Sequence, residues 1–232
     1  MHRLVAVDPP DCLRDPLGFV DADVMGDANS ETIGYLREAE IKHGRVAMAA
    51  FVGFCVQSNG IHFPWSTTLS GVTYESISAA GSPCAQWDAL PTNAKWQIFM
   101  LIGLLEMWGE CARDKHYMKG GQPGKYPSFE PIRAEIGHPT FDLFDPFGFS
   151  KNKTPEQKER GLLIELNNGR LAQIGIMAFV SEARIPGSVP GLANMNIAPY
   201  DGDCMAPWAA GDAASVPNVA WMLEWQGPWG AI

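Results

Sequence analysis

The chain carries 17 lysines and arginines, yet none falls between residues 58 and 94 and none after Arg184. Nucleic-acid binding needs a basic stripe, and a chain of 232 residues with a net charge of −9 shows no such stripe. Cysteine is also scarce. Cys12, Cys55, Cys84, Cys111 and Cys204 form no C-x-x-C pair, which removes the common zinc and dithiol spacings. Strand-period alternation is missing, and so is any N-terminal apolar segment, because "HRLVAVDPPDCL" is broken by Asp8, Pro9 and Pro10. Long hydrophobic runs are lacking too. The uncharged stretches Val46 to Val56, Trp96 to Leu105 and Leu171 to Ser181 fall short of the roughly 20 apolar residues of a simple membrane span. On length alone they suit a soluble bundle as well as a membrane one.

What is present is helical. The spacing predicts a first helix over about 30–58 with Ser30 as N-cap and a second over about 92–113. A third is predicted over about 154–184, with Thr154 as N-cap and Pro155 in the first turn. Gly- and Pro-rich connections separate them, and a tail follows from 185 to 232. Only 19% of residues are charged while 46% are hydrophobic, and there are eight Trp. Nine of the basic residues fall in 112–160. Three crossings would put that loop on the same face as the N-terminus, as the positive-inside bias requires. Trp65, Trp87, Trp96 and Trp108 lie at or just outside predicted helix ends, where amphipathic rings favour the membrane interface. The expected fold is an all-α membrane protein of three transmembrane helices plus short amphipathic helices, forming a single domain.

The first and third helices share a motif. "REAEIKHGRVAMAAF" and "LLIELNNGRLAQIGIMAF" both read E-x-x-(H/N)-G-R before an apolar stretch, with Glu40, His43 and Arg45 matched by Glu165, Asn168 and Arg170. Each is preceded by D-P-x-G-F, in "RDPLGF" and again in "FDPFGF". Such a repeat predicts a pseudo-two-fold pair of crossed helices. At about 100° per residue, Glu40 and His43 share a face while Arg45 points toward a partner helix. Arg45 is therefore expected to meet Glu165, and Arg170 to meet Glu40, neutralising four charges. Ala47, Ala49, Ala50 and Gly53, facing Ala172, Gly175 and Ala178, would let the backbones approach. His43 and Asn168 would each offer one lone pair outward. A hard ion taking single donors from outward faces must bring its other ligands with it, as magnesium in a macrocycle does.

With these motifs, the chain resembles the chlorophyll-binding light-harvesting complex family from about Asp15 to about Pro207. "ELNNGRLAQIGIMAF" and "GSVPGLANMNIAPYDGDCMAPW" are most similar to its chlorophyll a/c branch, with dinoflagellate peridinin-chlorophyll membrane proteins first and fucoxanthin proteins second. The resemblance implies an antenna, not an enzyme, that binds chlorophyll a, chlorophyll c and carotenoids (peridinin and diadinoxanthin, or fucoxanthin). It implies Glu40, His43, Glu106, Glu165, Asn168 and Glu182 as axial ligands of chlorophyll magnesium. Gln97 is a weaker ligand, and Gln173 is a polar residue that tunes a pigment or binds a water. Two carotenoids would lie in grooves beside the crossed helices, their end groups received by the D-P-x-G-F turns. It further implies a mature form of a multi-pass protein of the chloroplast thylakoid membrane, among membrane lipids. Its partners would be neighbouring antenna proteins and photosystem core subunits, photosystem I before photosystem II.

Two other readings compete. Glu-x-x-His on helices is also a di-iron carboxylate signature, but Asn168 stands where the second His is required. A photoprotective relative of the same family would keep the charged scaffold with fewer chlorophylls. The tail "NVAWMLEWQGPWGAI" reads as an interfacial anchor or as a Trp-rich contact with a neighbouring subunit.

Overall fold

A computed structural model describes residues 29–68, 71–136, 142–203, 206–209 and 211–212. Three long helices dominate: α1 (Asn29–Ser58), α4 (Thr92–Cys111) and α6 (Pro155–Arg184). The short helices α2 (Tyr74–Ser78), α3 (Pro83–Ala89) and α5 (Glu130–Ile136) lie in the connections. Among the described residues there is no strand, only an isolated bridge between Ser66 and Thr73. The chain is all-α, as expected. The first D-P-x-G-F turn and the Trp-rich tail lie outside the described residues.

Local chemistry sets the helix ends. At α6, Thr154 Oγ1 accepts from Gln157 N–H while the Gln157 side chain accepts from Thr154 N–H, a reciprocal capping box at the predicted cap. The described part of α1 begins at Asn29, and the predicted cap Ser30 is already helical. The helix stops in a Schellman turn. Gly60 adopts φ 67°, which lets Ile61 N–H reach Val56 O and Gly60 N–H reach Gln57 O. α4 ends two residues before the predicted Arg113, and the Arg113 side chain caps it by donating to Gly109 O.

The described chain forms two compact units, and each long helix contributes to both. The first comprises residues 1–46 and 105–171. Here Glu38 and Arg113 pair at 2.7 Å with both side chains nearly buried, and Gly124 N–H donates to the other Glu38 oxygen. The Arg113 guanidinium also lies over the Tyr117 ring at 5.0 Å. Burial first, then the negative charge of Glu110, pushes the Tyr117 hydroxyl up to about 12.

The second unit comprises residues 47–104 and 172–232. Phe179 of α6 stacks on Phe51 and Phe54 of α1 at 4.9 and 5.1 Å. Trp208 packs against Trp96 and Phe99. Lys95, 0% exposed, pairs with Asp212 at 2.6 Å, and Thr92 bonds the other oxygen of that carboxylate.

The apolar residues face outward more than inward. Among the described residues only Ala47, Phe54, Ile77, Tyr117, Phe179, Ala183, Tyr200 and Trp208 form the buried hydrophobic set. On α4, Met100, Leu101, Ile102, Leu104 and Met107 are all exposed. On α6, Leu162, Leu163, Ile164, Leu171, Ile174 and Met177 are too. No described helix is long and apolar enough, by hydropathy, to cross a membrane.

Candidate functional site

The duplicated motif assembles within the first unit. Arg45 Nε donates to Glu165 Oε1 at 2.6 Å, and Arg170 reaches Glu40 Oε1 at 2.7 Å. Both predicted interhelical ion pairs are formed. Their distances are those of charge-assisted bonds. They flank a close contact of α1 and α6, where a Cβ on Gly44 would sit 3.0 Å from Gly169 Cα and a Cβ on Gly169 would sit 2.9 Å from Gly44 Cα. Glycine is needed there because any side chain would push the two backbones apart.

That crossing corrects the expectation about small residues. Ala49 and Ala50 are exposed and a Cβ on Gly53 would meet nothing, so they do not bring the backbones together. Gly175 instead accommodates the Phe51 ring, 2.9 Å from its would-be Cβ. The glycines that matter lie inside the motif, between the His or Asn and the Arg.

His43 is exposed, and its Nδ1 lies 2.8 Å from Ala39 O. A carbonyl can only accept, so Nδ1 carries the proton and the lone pair resides on Nε2. A backbone-held imidazole with its outer nitrogen free suits metal ligation. Asn168 is exposed at the matching place on α6. Gln97 is exposed and Gln173 half-buried.

Glu106 of α4 forms a third charge-neutralised carboxylate. Lys42 of α1 donates to its Oε2 at 2.6 Å and lies 3.7 Å from Glu110. Sequence reasoning found Glu106 but not its cation. The available signal was Lys42 itself, a charge held between Glu40 and His43 at the edge of an apolar run.

Glu182 is positioned differently. One carboxylate oxygen accepts from Gly187 N–H at 2.7 Å and the other from Val189 N–H at 2.8 Å, with Ser188 Oγ at 3.5 Å. The side chain is nearly buried and ties the turn after α6, where the resemblance implied a chlorophyll ligand. In the second D-P-x-G-F turn the Asp145 carboxylate accepts from Phe149 and Ser150 N–H, both at 2.6 Å. Leu143, Phe144, Phe147 and Phe149 are left exposed there.

No group of three or more His, Cys, Asp or Glu that could hold a bare metal ion comes together among the described residues. His43, Gln97, Glu106 and Asn168 are instead exposed and Glu40 and Glu165 half-buried, on helices that also expose Val46, Leu104, Met107, Ile164 and Leu171. This donor set fits a metal that arrives already held in a flat apolar macrocycle. A di-iron centre needs converging carboxylates and paired histidines, and this arrangement does not supply them.

Comparison with known proteins gives a consistent result. A family model described as Chlorophyll A-B binding protein matches residues 5–184. The chain is 33% identical over 183 residues to a chloroplastic fucoxanthin-chlorophyll a-c binding protein of Trieres chinensis, covering 78% of this chain and 81% of the relative. It is 34% identical over 168 residues to fucoxanthin-chlorophyll a-c binding protein C of Phaeodactylum tricornutum, covering 72% and 74%. With protein B of Macrocystis pyrifera it shares 35% over 171 residues, covering 71% and 67%.

Proposed function

The chain belongs to the Chlorophyll A-B binding protein family of light-harvesting antennas, and we propose that Glu40, His43, Glu106, Glu165 and Asn168 hold its chlorophylls. The observation that carries this reading is the set of three carboxylates, each neutralised by a cation from another helix, beside helix faces crowded with exposed apolar side chains. A free carboxylate would be costly under hydrocarbon. Paired with Arg170, Lys42 or Arg45, it becomes nearly neutral and keeps lone pairs for an axial bond. Gln97 is a further candidate ligand, and Gln173 is placed to tune a pigment through its amide. Glu182 joins the set only by a lone pair that the turn leaves unused.

When bound, the chlorophylls absorb light and pass excitation between them. The protein contributes spacing, orientation and local electrostatics, and no bond is made or broken. The relatives' names point to chlorophyll a, chlorophyll c and fucoxanthin as the pigment class here. Peridinin and diadinoxanthin rest on the resemblance alone. Exposed Phe147 and Phe149 support a carotenoid end group at the second D-P-x-G-F turn.

The same exposed surface supports a multi-pass thylakoid protein, acting as one antenna domain, in which α1, α4 and α6 span the bilayer. At 1.5 Å per residue α4 is about 30 Å long and the other two longer, enough to cross with tilt. Their hydropathy is low because they carry paired charges, among them Glu40, Lys42, Arg45, Lys95, Glu106, Glu165 and Arg170. Photosystem core subunits and other antennas are the partners, with photosystem I preferred. The test is refolding of the chain with a pigment extract. Bound magnesium should match bound chlorophyll in amount, and stoichiometric iron without magnesium would refute the proposal.

A further inference from the structure

Three histidines are described, and two of them share an arrangement that the third lacks. His116 is saturated: Nδ1 accepts from Met118 N–H and Nε2 lies 2.9 Å from Glu110. His62 repeats the pattern of His43. Its Nδ1 lies 3.1 Å from Phe63 O, so Nδ1 carries the proton and Nε2 keeps its lone pair on an exposed side chain.

The loop bearing His62 is built rather than slack. The Schellman turn at Gly60 fixes its start, and the Ser66–Thr73 bridge with the 2.7 Å bond from Thr67 N–H to Val72 O fixes its return. Between them Phe63 stacks on Trp65 at 4.5 Å and meets the Tyr74 ring edge-on at 5.7 Å. Ile61, Phe63 and Trp65 remain more than half exposed, at 62%, 58% and 57%. An ordered apolar surface of this kind, beside a backbone-oriented imidazole, has both parts of a tetrapyrrole site: an axial base and a wall for the ring.

We propose that His62 is the axial ligand of a further magnesium tetrapyrrole, of the chlorophyll class, seated against Phe63 and Trp65. The proposal rests on the antenna reading above but uses none of the motif residues. The loop carries no lysine or arginine, so a neutral ligand suits it better than an anionic one.

The test refolds the full chain with purified chlorophyll a, chlorophyll c and carotenoid, as wild type and as His62→Leu, His62→Asn and His116→Leu. Chlorophyll per chain is read by extraction, with circular dichroism in the visible region as a second readout. His62→Leu should lose about one chlorophyll and the dichroism it contributes, with assembly intact. His62→Asn should retain most of it, because an amide oxygen can still ligate. His116→Leu should keep the wild-type count. Extraction also shows which chlorophyll is lost. An unchanged count in His62→Leu, or equal losses in the Leu and Asn variants, overturns the proposal. So does a Phe63→Ser, Trp65→Ser double variant that loses lipid binding but no pigment, since the loop is then an interfacial anchor. Wild-type chain that takes up no chlorophyll would refute the antenna reading instead.

Discussion

The two copies of the motif differ in how their carboxylates are held. Glu40 meets Arg170 through Oε1 and is also approached at 3.3 Å by Arg37, one turn before it on its own helix. The place matching Arg37 in the second copy is Leu162, and among the described residues Glu165 is held by Arg45. The polar side chain three residues after each also differs, with His43 oriented by Ala39 O and Asn168 offering an amide. A duplicated scaffold has thus kept its crossing and its cross-pairing while the surroundings of its two carboxylates diverged. Geometry is shared because both copies meet at one glycine contact. Local electrostatics is not, because Arg37 adds a second cation beside Glu40 and the second copy has Leu162 in that place.

The sharpest way to break the symmetry is at the crossing. Gly169→Val would force the helices apart, lose both ion pairs and abolish pigment-loaded refolding, with native-gel yield near background. Arg45→Leu comes next. In the bare protein the pair is part-exposed and worth less than about 1 kcal/mol, but beneath pigment and lipid a lone Glu165 would cost about 3–5 kcal/mol. Yield with pigments should therefore fall far more than helicity in detergent. The matched Arg170→Leu should do less damage, since Arg37 remains beside Glu40.

A pH effect separates the second unit from the motif. Burial alone would raise the Asp212 carboxyl, but bonds from Lys95, Thr92 and Ala209 N–H hold it below its ordinary value of 3.8. The folded state thus binds its proton less readily than the unfolded one. The stabilisation is present above about pH 3.8 and is lost as pH falls below it. Asp212→Asn should remove that acid transition and, by leaving Lys95 buried and unpaired, lower stability by on the order of 3 kcal/mol at neutral pH. Thermal melts across pH would show both changes. Smaller still, His43→Leu and Asn168→Leu should each remove about one chlorophyll, with different bands lost from the absorption spectrum. Glu182→Gln should have the least effect, a lower melting temperature with pigment content kept. Loss of a chlorophyll from that variant would restore Glu182 to the ligand set.

Much of this was legible in the residues. The ends of α6 follow from the Thr154 cap and the Gly-Pro segment after Arg184, both local signals. The Arg45–Glu165 and Arg170–Glu40 pairs could be inferred from a repeat, because symmetry turns one helix-face argument into a contact between helices. Lys42 with Glu106 and Lys95 with Asp212 had no such symmetry to expose them. Glu182 entered the expected ligand set by resemblance, and spacing along the helix did not show that the following turn folds back to bind its carboxylate.

The sequence by itself determined the helices, the doubled motif and the cross-pairing, because caps, periodicity and repetition act over a few residues or through symmetry. Only the tertiary structure decided which glycines touch, which cation neutralises Glu106, and that Lys95 is buried against a residue 117 positions away. Those choices depend on the path of the connections. The chain's local chemistry permits several partners for each charge, and the tertiary path brings only some of them within reach.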